Sequence, residues 1–387
     1  MTPTVTVSPR GAQRLHDGHL WVYRTDVRET SASPGDTVRV QDGRGRSLGS
    51  ALYSDRSQIA LRLLVRGERD AGPALWRARL EQAIAYRASL RLDATAYRLV
   101  HGEADLLPSL VVDRYADCLV LQTLSQGTDR HLPDLVAQLV ALLRPRGILA
   151  RNDPKVRLLE GLERRVEVLH GEVPDRVDVT EAGVTYTADL RHGQKTGLFL
   201  DQRENREAAA RYAHGRLLDV FSYQGGFALA LARQCDEVIA IEASEEACAQ
   251  ARTNAQRNGL TNVEVRAVNA FDELRELDRA DERFDTIVLD PPAFAKNRAA
   301  VGQALKGYKE INLRALKLLR PGGVLVTCTC SYHVDEATFG EVVFGAALDA
   351  GAQVTLVEKR MQGRDHPVLL GVPETYYLKC LVLRRLA

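Results

Sequence analysis

No apolar run in this 387-residue sequence approaches the roughly 20 residues that a bilayer-spanning helix needs, and the opening MTPTVTVSPRGAQR lacks the hydrophobic core of a signal peptide. These absences exclude a membrane protein and predict a cytoplasmic one. The six cysteines form no paired CxxC knuckles, which argues against a disulfide framework and against a structural zinc site. They are expected to be free thiols. Low-complexity tracts are missing as well, and 45% apolar with 27% charged residues is the composition of a chain that folds throughout. There is little excess of charge. The net +1 carries no information about nucleic-acid binding, which depends on local basic patches. Arg greatly outnumbers Lys, which suits forked phosphate contacts and base stacking, although an arginine-rich coding bias gives the same composition.

What is present is a chain too long for one ordinary core, and three units are expected. Residues 1–72 alternate short apolar segments with turns: Leu20–Tyr23, Thr37–Val40, Ser50–Tyr53 and Ile59–Leu64, separated by Ser33-Pro34-Gly35-Asp36 and Asp42-Gly43. This is the pattern of a small β-barrel, rich in Arg and without a catalytic constellation, so it reads as a binding module. Residues 73–184 read as α+β: a helix from Ala74 to Leu92, strands at Leu110–Asp113 and Leu119–Gln122, a helix over Leu132–Leu143 and a strand at Gly147–Ala150. The polar stretch His101–Pro108 fits a surface loop better than part of an RNA groove.

Residues 185–387 alternate strands with amphipathic helices, the pattern of an α/β, mostly parallel sheet covered on both faces. Its ligands are expected beyond the carboxyl ends of the strands. The first strand ends in Asp219-Val220-Phe221-Ser222-Tyr223-Gln224-Gly225-Gly226, a glycine turn that brings backbone close to a ligand but is not the GxGxxG of a nicotinamide site. The second ends in Glu242-Ala243, where a carboxylate can accept hydrogen bonds from both ribose hydroxyls. The third leads to Asn269-Ala270, with an amide available to an adenine edge. Each signal is weak alone, since a strand-end Glu is usually a solvated surface acid. Together they describe a nucleoside pocket with no diphosphate cradle, and S-adenosylmethionine is the common ligand of that kind.

The fourth strand ends in Asp290-Pro291-Pro292-Ala293-Phe294, where two prolines stop the ladder and fix a carboxylate suited to holding a base. The fifth ends in Thr327-Cys328-Thr329-Cys330, which brings a thiol to the same rim. Carbon 5 of a pyrimidine is too poor a nucleophile to take a methyl group directly, so a thiolate must first add to carbon 6. Cys330 is the candidate, against the alternative that it is a core cysteine; Cys328 reads as packing. A thiol mostly protonated at neutral pH needs a nearby cation, for which Lys309, Arg203 and His333 are candidates.

These residues, with Gly193-Gln194-Lys195-Thr196-Gly197 through Asn205-Arg206, resemble the ribosomal RNA large-subunit methyltransferase I family. Further matches are Gly18–Tyr23, Gly102–Asp105, Val112–Tyr115, Gly307–Asn312 and Asp365-His366-Pro367, so the resemblance runs nearly end to end. It implies an N-terminal PUA domain, a central α+β domain and a Rossmann-like methyltransferase domain with a seven-stranded sheet. It also implies a 5-methylcytosine product in 23S ribosomal RNA, naked or in an assembly intermediate, and is compatible with a homodimer. Carried over, Lys195, Thr196, Gln202, Asp219, Phe221, Ser222, Tyr223, Gly225, Glu242, Ala243, Asn269, Ala270 and Asp290 surround the cofactor, and Cys330 attacks the base. Ser109 stands where the family pattern has Gly, and Asn269 where Asp is common, which leaves the adenine contact open. The second cysteine that other RNA cytosine-C5 methyltransferases place after the double proline is Ala293 here, so the group that removes the C5 proton is not identified. Two rival readings remain: an amino-methyltransferase on adenine or guanine, with Phe294 stacking on the base, and a non-catalytic RNA-binding relative.

Overall fold

The computed structural model describes residues 2–69, 71–295 and 297–386. The chain divides into two compact units: one reaches to Val179 and takes in Ala188–Leu200 and Arg364–Thr375, and the other comprises Thr180–Thr187, Asp201–Gly363 and the chain from Tyr376.

The first unit carries two sheets. Six strands, in spatial order Trp21–Tyr23, Ile59–Arg66, Ser47–Tyr53, Thr37–Gln41, Thr4–Val7 and Val27–Thr30, form the N-terminal one. Strands Ser47–Tyr53 and Ile59–Arg66 approach closely at Gly49, whose φ is +147° and where a Cβ would lie 2.0 Å from the Val65 carbonyl oxygen. Only glycine fits there. The second sheet orders Arg165–Gly171, Gly147–Asn152, Cys118–Thr123, Leu110–Tyr115 and Ala96–His101. Helices Pro73–Ser89 and Leu132–Leu143 belong with it. One apolar core includes Leu52, Leu64 and Val65 from the N-terminal strands together with Trp76, Leu80, Leu99 and Leu121, so residues before and after position 72 are buried against each other. The segment 101–108, expected as a loop, holds a 3-10 turn over Gly102–Asp105 closed by Leu106 at φ +58°.

The second unit is built on seven strands: β1 (Arg216–Val220), β2 (Glu237–Glu242), β3 (Val263–Ala267), β4 (Phe284–Leu289), β5 (Leu319–Thr329), β6 (Val354–Met361) and β7 (Lys379–Arg385). Their spatial order is β3-β2-β1-β4-β5-β7-β6. All neighbours among the first five are parallel, and β7 runs antiparallel to both β5 and β6. Runs such as Val238–Ile241 and Ile287–Leu289 are buried throughout, as parallel strands covered on both faces must be. Strand order reverses between β1 and β4, which opens a crevice beyond their carboxyl ends. The candidate residues of this unit cluster at that end.

Candidate active site

The turn after β1 is tightly curled. Phe221, Tyr223 and Gly225 have φ of +68°, +51° and +85°, and only the last is a glycine. A non-glycine residue held there costs on the order of 1–3 kcal/mol, so surrounding contacts must fix it. They do: the Ser222 amide donates to the Ile241 carbonyl at 2.9 Å and the Tyr223 amide to Glu242 Oε2 at 3.0 Å. The other carboxylate oxygen of Glu242 accepts from the Ser244 amide at 2.9 Å. Each oxygen thus keeps a lone pair for a further donor, the geometry that a pair of vicinal hydroxyls needs. Gly225 caps the helix Gly226–Leu231, and a Cβ on it would meet Leu229 at 3.0 Å.

Asp219, 1% exposed, accepts from the Ala228 amide at 2.8 Å through Oδ2. Its Oδ1 is buried and has no hydrogen-bond partner among the described residues. Burial first, then the charges of Asp290 and Glu242, push the Asp219 carboxyl up to about 7. Burial beside two further acids makes the charged form of Asp219 costly, and a ligand carrying positive charge relieves that cost. Asn269 is exposed and caps the helix Ala270–Arg279, its Oδ1 accepting from the Phe271 amide at 2.9 Å. Its carbonyl is therefore occupied, and the amide NH2 is what it can offer a ligand. Ala243 is exposed and Ala270 buried.

Asp290 follows β4, and Gln202 Nε2 donates to its Oδ1 at 2.8 Å. Gln202 Oε1 in turn accepts from Asn205 at 2.7 Å, and Asn205 Oδ1 accepts from Arg360 at 3.0 Å. Both ends of the Gln202 amide are spent on this relay, so Gln202 orients the carboxylate.

Cys330 is the first residue past β5 and is half-buried, whereas the other five thiols are buried. Cys328 lies in the apolar core opposite Cys380, and burial with that neighbour keeps it protonated. Tyr308, from the helix Val301–Leu318, joins the two strand ends. Its hydroxyl lies 2.9 Å from Ser331 Oγ, accepts from Thr329 Oγ1 at 2.8 Å and accepts from the Phe294 amide at 3.4 Å. Ser331 Oγ also accepts from the Ala295 amide at 3.1 Å. The Asp290 loop and the Cys330 loop are held as one piece by this tyrosine.

The geometry agrees with what the chain resembles in known proteins. Residues 156–369 match the family of S-adenosylmethionine-dependent methyltransferases, and residues 5–66 match a PUA-like domain. The chain is 40% identical to ribosomal RNA large subunit methyltransferase I of Tolumonas auensis, over 99% of its own length and 100% of that protein's. It belongs to the ribosomal RNA large subunit methyltransferase I family. The Vibrio cholerae member is 38% identical over 99% of the chain and 100% of its own length. Among solved structures, the methyltransferase SMU.776 complexed with SAH superposes with a TM-score of 0.86 over 100% of both chains, a likeness of fold at 20% identity.

S-adenosylmethionine is thus the cofactor of this large subunit methyltransferase I relative, and the residues fit it: the unpartnered Asp219 oxygen and its two neighbouring acids suit a cationic ligand, and Glu242 suits a ribose. Lys195 and Thr196 lie in the first unit. Thr196 Oγ1 donates to Asp113 Oδ2 at 2.6 Å and lies 3.0 Å from the Tyr115 hydroxyl, which accepts from the Leu198 amide at 3.0 Å. Burial and Asp113 raise Tyr115 so that it stays a neutral donor. The Val112–Tyr115 motif therefore fixes the backbone of the 196–198 turn, and Lys195 rests over the Phe199 ring at 4.7 Å. Sequence reasoning missed Asp113, Tyr115 and Tyr308 as anchors. Of the cations considered for Cys330, Lys309 is ion-paired to Asp349 at 2.7 Å, Arg203 is buried beside Glu204 at 3.6 Å, and His333 is exposed against Tyr332. Lys379 is the cation whose field the Cys330 thiol shares.

Proposed function

We propose that the protein methylates carbon 5 of a cytosine in large-subunit, 23S, ribosomal RNA through a covalent adduct between Cys330 and carbon 6. One observation carries the reading: the sole half-exposed thiol among the described cysteines adjoins the strand whose neighbour ends in Asp290, and Tyr308 ties the two loops together. A purine amino-methyltransferase has no use for such a thiol. It also needs Phe294 free to stack on the base, yet that ring packs 4.6 Å from Tyr308 and 6.0 Å from Phe271. The names of the full-length relatives support the RNA substrate.

The Cys330 thiol gives up its proton, and the thiolate pair forms a bond to carbon 6 while the 5,6 double bond shifts electrons toward carbon 5. Asp290, oriented by Gln202, engages the exocyclic amine, or the ring nitrogen if it is protonated. S-adenosylmethionine supplies the methyl group that carbon 5 accepts. Removal of the C5 proton then returns the electron pair to the ring and expels the Cys330 thiolate. For the cofactor we propose Asp219, Phe221, Ser222, Tyr223, Gly225, Glu242, Ala243, Asn269 and Ala270 as contacts, with Gln202 acting through Asp290. Glu242 takes the ribose hydroxyls and the Asn269 amide donates to adenine.

A base stacked in a duplex cannot present carbons 5 and 6, so the target is flipped out or single-stranded. We assign residues 1–72 to RNA positioning, 73–184 to a central domain and 185–387 to catalysis. Cytoplasmic ribosomal RNA, naked or in an assembly intermediate, is the proposed partner, with a homodimer as the arrangement to check by light scattering. The reading is tested by nucleoside analysis of RNA incubated with the protein and labelled cofactor. 5-Methylcytidine supports it, and a methylated purine opposes it.

A further inference from the structure

Strand β7 brings a lysine to the thiol end of β5. Lys379 pairs in register with Thr329, the residue before Cys330, and is 2% exposed. Its Nζ donates to the Ser331 carbonyl at 3.4 Å and the Tyr377 carbonyl at 3.3 Å, and lies 5.2 Å from the Tyr376 ring centroid. An ammonium has three N–H donors, so two long bonds to carbonyls leave it under-satisfied. A buried cation so placed next to the proposed nucleophile is an expensive arrangement unless it is used.

We propose that Lys379 is the positioning residue that activates Cys330, its ammonium stabilising the thiolate that the cytosine reaction requires. This rests on the reading of Cys330 as nucleophile. The coupling is reciprocal: burial lowers the Lys379 ammonium, while Asp335, a thiolate at Cys330 and Glu336 each favour it, and whatever Cys330 does for Lys379 the lysine does for Cys330. The remaining ionisable neighbours do not compete for the role. Tyr308, from the helix Val301–Leu318, is kept neutral by burial. Tyr376 is held neutral by burial and by Glu336, to which its hydroxyl donates at 2.9 Å. Cys328, opposite Cys380 and in the field of Asp290, is held protonated. Asp335 and Glu336 stay ionised, Asp335 capping the helix at Thr338 and Glu336 bonded to Lys359 at 2.8 Å. Their charges favour the Lys379 ammonium against its burial.

The test is the rate of iodoacetamide alkylation of Cys330 against pH, read by mass spectrometry on the full-length native protein, Lys379→Met and Lys379→Arg. The native profile should have its midpoint below the ~8.5 of an ordinary thiol. Lys379→Met should shift it upward and slow alkylation at neutral pH by about tenfold, the effect of roughly one pKa unit. Lys379→Arg, which keeps the charge, should restore most of the rate. A native midpoint at or above the ordinary value, or superimposable native and Met profiles, overturns the proposal; the first of these readouts needs no variant to fold. A lowered midpoint without 5-methylcytidine would sink the function and leave the Lys379–Cys330 pairing intact, while normal product with unshifted profiles would do the reverse.

Discussion

Replacing Tyr308 by Phe removes a single oxygen and leaves the ring, so it isolates the polar link between the Asp290 and Cys330 loops. The residue is 0% exposed, and its ring keeps its contacts with Phe294 at 4.6 Å and Phe339 at 5.6 Å, so no cavity opens. The lost oxygen serves Ser331, Thr329 and the Phe294 amide. A buried hydrogen bond contributes about 0.5–1.5 kcal/mol net. The Phe294 bond is long, and both hydroxyls keep another partner, since Ser331 Oγ accepts from Ala295 and Thr329 Oγ1 accepts from the Ser331 amide. The expected loss is therefore about 2 kcal/mol rather than the sum of three full bonds. Urea unfolding followed by circular dichroism reads it as a lowered midpoint at unchanged slope. Because loosening displaces both Cys330 and Asp290, kcat should fall by at least about tenfold while KM for the cofactor stays near the native value. A variant with native stability and native kcat would refute the idea that this hydroxyl builds the site.

Gly225→Ala puts a Cβ at φ +85° and 3.0 Å from Leu229, and should cost about 1–2 kcal/mol in stability and weaken cofactor binding in calorimetry. Glu181→Gln breaks the paired bonds at 2.7 Å to the buried Arg206 guanidinium, and should lower stability by about 3–5 kcal/mol in the same urea assay, a loss that Glu181→Asp does not relieve. Asp219 has a folded carboxyl at about 7, above its unfolded value of 3.8, so the folded state binds more protons in that window and this group costs stability as pH rises through it. Asp219→Asn should therefore gain stability relative to the native protein progressively between about pH 4 and pH 7 and keep that gain above it, and it should lose cofactor affinity most at the upper end; a stability difference flat across that window would contradict the buried, raised carboxyl.

The parallel core was readable because its strands are continuous apolar runs bounded by polar residues. The end of β2 at Glu242 was legible to the residue, where the apolar run Val238–Ile241 stops. The start of β5 was not, since it begins at Leu319, ahead of a Pro321-Gly322-Gly323 turn signal, and its pairing with β4 shifts register there. Strand-end residues such as Glu242 and Asp290 were legible because chain order alone brings them to one rim. Partners that arrive from distant segments were not. The Tyr308 hydroxyl reaches a strand end more than a helix away in sequence, and Lys379 meets the Cys330 loop only because β7 inserts antiparallel between β5 and β6. The ion pair of Lys309 with Asp349 was hidden in the sequence for the same reason. Thr196 was identified as a site residue, yet its hydroxyl is engaged by Asp113 and Tyr115, about eighty positions earlier.

The measurement that tests the central claim most directly is the product formed on ribosomal RNA by the native protein and by Cys330→Ala, each supplied with labelled S-adenosylmethionine and analysed as nucleosides by mass spectrometry. The expected result is 5-methylcytidine from the native protein and none from the variant, with cofactor binding retained in both. A methylated purine, or 5-methylcytidine at an undiminished rate from the variant, would contradict it.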